Sequence, residues 1–272
     1  DECGVCGGDG IADGDCDCAG NVLDECGTCG GDGIVGFEFD GESAYDASGR
    51  SVSLSSDGTT VAIGAPYHDG ENGIDRGHVR IYSWDTMGGW TQLGDDIDGE
   101  SAYDSSGYSV SLSSDGTTVA IGAPFHDGNN DSFASGHVRI YSWNSATGAW
   151  EQLGDDIDGE SADDSADDNS GYSVSLSPDG TTVAIGAPYN YGENGINSGH
   201  VRIYSWNSAT SAWEQLGNDI DGESADDQSG RSVSLSSDGT TVAIGARYND
   251  SFASGHVRIY SWDTMGGWTQ LG

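Results

Sequence analysis

Along most of the chain, aliphatic residues alternate with serine, alanine or glycine in short runs. Val110 and Leu112 alternate with Ser109, Ser111 and Ser113, and Val119 and Ile121 alternate with Ala120 and Gly122. A period of two puts one set on each side of a β-strand. Strands are therefore predicted at 108–113, 117–123, 137–143 and 150–153, with Asp115-Gly116 as a hairpin turn and Pro124 ending the second strand. The same series returns around Val52, Val110, Val174 and Val233, spaced 58, 64 and 59 residues apart. The longest spacing comes from extra residues in the acidic loop 161–173, which a surface connection tolerates. The prediction is an all-β chain of four copies of one four-stranded unit, at about 35–94, 95–154, 155–217 and 218–272. One sheet face carries large aliphatics and the other small residues, so the large face of one unit fills the small face of the next, as in a β-propeller.

The first 34 residues differ. Asp1-Glu2-Cys3-Gly4-Val5-Cys6-Gly7-Gly8-Asp9-Gly10 returns as Asp24-Glu25-Cys26-Gly27-Thr28-Cys29-Gly30-Gly31-Asp32-Gly33, with Cys16 and Cys18 between the copies. Little there is apolar enough to bury, so covalent staples are expected from Cys3, Cys6, Cys16, Cys18, Cys26 and Cys29. The two Cys-x-x-Cys pairs keep zinc open as an alternative, which the glycine-rich acidic context and the odd Cys16-x-Cys18 disfavour. Six cysteines allow 15 pairings, among which sequence does not choose. This stretch resembles the DECGxCGGDG-type cysteine-rich repeats of large secreted or cell-surface proteins, which implies an extracellular spacer.

The repeated unit also has a resemblance. Gly107-Tyr108-Ser109-Val110-Ser111-Leu112-Ser113, then Asp115-Gly116-Thr117-Thr118-Val119-Ala120-Ile121-Gly122-Ala123-Pro124, then Gly136-His137-Val138-Arg139-Ile140-Tyr141 is similar to the FG-GAP repeat of integrin-α-type β-propellers. Gly-Ala-Pro stands at 64–66, 122–124 and 186–188 and becomes Gly245-Ala246-Arg247 in the last copy. Over residues 37–272 the resemblance implies a propeller with extracellular, adhesive roles. FG-GAP propellers commonly have seven blades; four are present here. Their calcium-binding hairpin is reduced to Ser-Ser-Asp-Gly or Ser-Pro-Asp-Gly, so that metal site does not carry over.

Charge narrows the partners. Eight basic residues, all arginine, stand against 46 acidic ones, for a net charge of −38. Such a field repels nucleic acid and anionic lipid and attracts cations. The 8 Trp and 12 Tyr, with acids clustered between apolar runs, favour folded strands over disorder. No apolar run approaches the ~20 residues of a spanning helix. The chain ends at Gly272, the repeat position of Gly94, Gly154 and Gly217, which is expected of a segment from a longer parent.

The candidate cation is Ca²⁺, on alternating carboxylates in the segments between units: Asp96, Asp98, Glu100 and Asp104; Asp156, Asp158 and Glu160; Asp219, Asp221 and Glu223; and Asp40 with Glu42, preceded by Glu38. The reading weighed above it is a solvated acidic loop copied by duplication, since no copy has a full EF-hand-like ligand set. His78, His137, His200 and His256 recur at one position, as do Arg80, Arg139, Arg202 and Arg258. Recurrence in every copy reads as packing and pairing, because an active site is usually asymmetric. No enzyme is expected. Asn130 and Asn249 head glycosylation sequons. The eight tryptophans come two per copy, read as packing between units or sealing outer strands, with sugar platforms as the alternative. The function expected is an extracellular structural segment of a fibre, appendage or matrix, with copies of itself or other matrix proteins as partners. The alternative is a calcium-assisted adhesin or lectin-like module recognising protein or glycan.

Overall fold

A computed structural model of the chain describes residues 15–17, 21–22, 29, 37–70, 73–85, 89–127, 134–160, 167–192, 194–248, 254–264 and 266–272. The chain divides into two compact units, Asp1–Asp40 and Gly41–Gly272. In the first, Cys16 and Cys29 form a disulfide with Cα atoms 5.5 Å apart. The expected staples at Cys3, Cys6, Cys18 and Cys26 lie outside the described residues.

The second unit contains four antiparallel sheets in chain order. Blade 1 comprises β1 (Ser51–Leu54), β2 (Thr60–Ala65), β3 (His78–Asp85) and β4 (Gly89–Gln92). Blade 2 has β6 (Ser109–Leu112), β7 (Thr118–Ala123), β8 (His137–Asn144) and β9 (Ala149–Gln152). Blade 3 has β11 (Ser173–Leu176), β12 (Thr182–Ala187), β13 (His200–Asn207) and β14 (Ala212–Gln215). Blade 4 has β16 (Ser229–Leu235), β17 (Thr241–Ala246), β18 (His256–Asp263) and β19 (Gly267–Gln270). Three two-residue strands, β5 (Ile97–Asp98), β10 (Ile157–Asp158) and β15 (Ile220–Asp221), pair back onto the first residues of β3, β8 and β13. The segment between two blades thus starts as a fifth strand of the blade it leaves. Sequence did not show these strands, because each carries a single isoleucine among acids.

Strand limits in blade 2 agree with the alternation to within one residue. The turn after β6 closes on one carboxyl oxygen: Asp115 Oδ1 accepts from Ser113 Oγ, Thr117 N and Thr117 Oγ1 at 2.7, 3.0 and 2.8 Å. Asp57, Asp179 and Asp238 repeat this. In blade 4 those bonds, from Ser236 first and then Thr240, hold Asp238 down at about 2.

The faces are less one-sided than the alternation implies. In blade 2, Val110, Leu112, Val119 and Ile121 share a side, and they pack on Ala62, Val79 and Ile81 of blade 1. The opposite side, small along β7 at Ala120 and Gly122, is filled by Val138 and Ile140 of β8, which meet Leu176, Val183 and Ile185 of blade 3. Removing each such side chain from water contributes about 1.5–3 kcal/mol.

Directed bonds reinforce each junction. Ser109 Oγ donates to Gly171 O at 2.8 Å, Trp150 Nε1 to Leu93 O at 2.8 Å, and Arg139 Nη2 to Asp98 O at 2.6 Å. Gly122 must be glycine: a Cβ there would collide with the carbonyl of Gly171. The tryptophans pair in register within a blade, Trp143 of β8 with Trp150 of β9 at 5.5 Å, on the two outer strands.

The two ends are uncovered. Val52 and Leu54 of blade 1 are 63% and 58% exposed, against 9% and 7% for Val110 and Leu112 in blade 2. At the other end Val257 and Ile259 are 66% and 43% exposed, while Val138 and Ile140 are at most 1% exposed. Four blades therefore form an open array.

Candidate functional site

Each blade begins its third strand with the histidine of Gly-His-Val-Arg-Ile-Tyr. Cross-strand pairing with the fifth strand sets His78 opposite Asp98, His137 opposite Asp158 and His200 opposite Asp221. These imidazoles are buried: His78, His137 and His200 are at most 1% exposed. Carboxylates surround them from the segment before the blade and the segment after it.

In blade 2 the turn after β7 brings His126 over His137, with ring centroids 4.0 Å apart. His126 Nδ1 lies 3.0 Å from Oδ1 of the buried Asp104. Asp104 Oδ2 in turn accepts the backbone N–H of Glu100 and Ser101 at 3.1 and 2.7 Å. That arrangement fixes the ring and leaves Nε2 for another partner. One donor atom from each of Glu100, His126 and His137 falls within 4.8 Å of the others. The Asp104 hydrogen bond pulls the His126 pKa up. Burial, reinforced by His126 and Arg139, drives His137 down to about 3, so it is held neutral.

Blade 1 repeats the geometry. His68 stacks on His78 at 4.1 Å, its Nδ1 3.0 Å from Asp46 and its Nε2 3.8 Å from Glu42. Glu42, His68 and His78 form the corresponding donor group. Blade 3 departs from it. Asn190 stands at the place of His126, and the matching carboxylate is Asp168, 1% exposed, whose Oδ2 accepts Glu160 N–H at 3.0 Å. Burial, only partly offset by the Asn190 hydrogen bond, raises Asp168 to about 7. Glu160, His200 and Asp219 still approach one another there.

The carboxylates read from sequence as calcium ligands are divided between two blades. Asp96 turns back to within 3.6 Å of His78 in the blade it leaves, and Glu100 goes forward to Arg139 of the next blade at 3.8 Å. Asp98 offers its carbonyl to Arg139. Asp156 and Asp158 do come together, but around His137. Asp219 faces His200, Asp221 gives its carbonyl to Arg258, and Glu223 lies 3.9 Å from both His256 and Arg258. Glu42 pairs with Arg80 at 3.8 Å, while Glu38 and Asp40 belong to the first unit. Asn130 and Asn249 lie outside the described residues. The arginine–carboxylate pairing expected of the strand arginines is therefore present at Arg80, Arg139 and Arg258. Sequence reasoning missed His68 and His126, which occur in only two of four copies. Their one signal is a histidine two residues after Pro66 and Pro124.

Comparison with known families agrees with this architecture. The FG-GAP repeat matches at two places, residues 40–82 and 160–204. Comparison with curated proteins finds no match. Among solved structures, the Pseudomonas aeruginosa periplasmic gluconolactonase PpgL superposes with a TM-score of 0.50 at 16% identity, covering 82% of this chain and 56% of that one. Kuenenia stuttgartiensis hydrazine synthase gives 0.49 at 13% identity, covering 81% and 53%. The chain thus spans about half the length of these two structures. The likeness to PpgL shows the fold, a β-propeller-like arrangement of sheets. It also corrects the expectation that the chain is not an enzyme. A gluconolactonase is built on this arrangement, so recurrence of the histidines and acids from blade to blade does not exclude catalysis.

Proposed function

We propose that the chain is an extracellular structural segment that assembles end to end through its blade faces, with a second copy of itself as partner. The observation that carries this is the pair of open ends. Val257 and Ile259 are exposed at the position where Val79, Val138 and Val201 are fully buried under the next blade. Val52 and Leu54 are exposed at the position of Val110 and Leu112. All four blades carry Ser-Val-Ser-Leu in the first strand and His-Val-Arg-Ile-Tyr-Ser-Trp in the third. The last blade of one copy therefore offers the first blade of another the residues that already seal the three internal junctions. Two different surfaces meeting head to tail give closed rings or open filaments, depending on the rotation per copy. The extracellular placement rests on the Cys16–Cys29 disulfide and the FG-GAP matches.

Sedimentation of the purified chain tests the assembly. The native chain should grow heavier with concentration. Val257→Asp and Val52→Asp should each remain monomeric alone, yet pair one to one when mixed, since each keeps the face the other lacks. A native chain that stays monomeric at all concentrations, or variants that assemble like it, would overturn the reading.

A further inference from the structure

We propose that blades 1 and 2 each hold a divalent transition-metal ion of the zinc class, on Glu42, His68 and His78 and on Glu100, His126 and His137. The first ground is the donor set. Two imidazoles and one carboxylate suit zinc, cobalt, nickel or copper, whereas Ca²⁺ takes six to eight oxygens. The three donor atoms of each group lie within 4.8 Å of one another. Donors on a tetrahedral ion at 2.0–2.1 Å stand about 3.3 Å apart. Glu42 and Glu100, whose side chains are 44% and 43% exposed, close the remaining distance by turning from Arg80 and Arg139, 3.8 Å away, toward the imidazoles.

The second ground is independent of the cluster. Neither ring nitrogen of His78 or His137 has a hydrogen-bond partner among the described residues, although the side chains are 1% and 0% exposed. Asp96 and Asp156 stand 3.6 and 3.9 Å from the Nδ1 atoms, beyond hydrogen-bond reach. A buried polar atom without a partner is costly, and such atoms in a native fold call for a specific occupant. The other imidazole of each pair is already held by a buried carboxylate, Asp46 or Asp104, through Nδ1. That is the outer-shell arrangement which orients a metal-bound histidine. Three protein donors leave one position of a tetrahedral ion for water or a ligand.

Blade 3 is the built-in control. With Asn190 in place of the first histidine it lacks one imidazole, so the described blades offer two sites of this kind.

The test is a titration of the metal-free chain with Co²⁺ in excess Ca²⁺, which saturates ordinary carboxylates, followed by visible absorption. Two equivalents should give the intense bands of low-coordinate Co²⁺, and Zn²⁺ should bleach them. His126→Asn, which copies the residue of blade 3, should lower the count to one, and His68→Asn with His126→Asn should lower it to zero. Circular dichroism checks that the variants keep the β-fold, and Glu100→Gln, an exposed change, provides a second route to the loss of one site. Native chain without such bands, or a double variant that still binds two equivalents, would overturn the proposal. Unchanged binding in His126→Asn would likewise overturn the blade 2 site and move the ion to His137, Asp156 and Asp158.

Discussion

Blades 2 and 4 carry the same third strand, His-Val-Arg-Ile-Tyr-Ser-Trp, yet Val138 is completely buried and Val257 is 66% exposed. Ile140 and Ile259 differ in the same way, 1% against 43%. Local sequence cannot account for the difference, since it is shared; a neighbouring blade does. In this array a residue's contribution to stability belongs to its junction, and near-identical copies allow that contribution to be read by substitution.

The largest effect should come from truncating the isoleucine. Ile140→Ala removes a side chain packed between blades 2 and 3 and should cost about 2–5 kcal/mol. Ile259→Ala should cost under about 1 kcal/mol in the monomer. Urea midpoints of the two variants, taken at a concentration where the chain is monomeric, measure the gap; equal losses would mean that the last blade is covered after all.

A buried carboxylate sharpens the comparison inside the sealed blades. Asp168 is held protonated up to about 7, above its ordinary 3.8, mainly by burial. A group whose folded pKa is raised contributes stability below about 3.8 that is lost as pH rises through about 7. Asp168→Asn should therefore gain on the native chain between pH 4 and 8, by about 2–4 kcal/mol in unfolding free energy. A difference that stays flat across that range would show that Asp168 is ionised at neutral pH in the native blade.

The smallest effect concerns one hydroxyl. Ser109 Oγ bonds the Gly171 carbonyl of the next blade, so Ser109→Ala should cost about 1 kcal/mol. Ser232 holds the same place in blade 4 and faces the uncovered side, so Ser232→Ala should be nearly neutral. Thermal midpoints of the pair settle whether the bond or the residue type matters.

Much of this was legible from alternation. The four copies, the four strands in each and the Asp-Gly turns follow from a period of two punctuated by Asp115-Gly116 and its equivalents. The fifth strand was not, because Ile97 is one apolar residue among four acids and has no period to display. Calcium was expected where Asp96, Asp98 and Glu100 alternate, but β5 ends at Asp98, and beyond Gly99 the chain enters the next blade. Asp96 and Glu100 are consequently drawn to different partners. The histidine pairs were hidden for another reason: His68 and His78 are ten residues apart in sequence and meet only because β2 and β3 are antiparallel. Recurrence had classed the strand histidines as packing, and His78, His137 and His200 are indeed buried. Their unpartnered nitrogens become visible only with coordinates.

Nine side-chain bonds across the junctions share a further property. Ser51, Ser109 and Ser173, Trp150, Trp213 and Trp268, and Arg139, Arg202 and Arg258 all donate to main-chain carbonyls of the adjoining blade. A joint addressed to the backbone does not inspect the identity of the residue it grips. With the junction glycines and aliphatics recurring in every copy, the other positions of neighbouring copies can drift or whole copies can be inserted, and the joint still closes. Array length is thereby free to vary by whole blades without any compensating substitution.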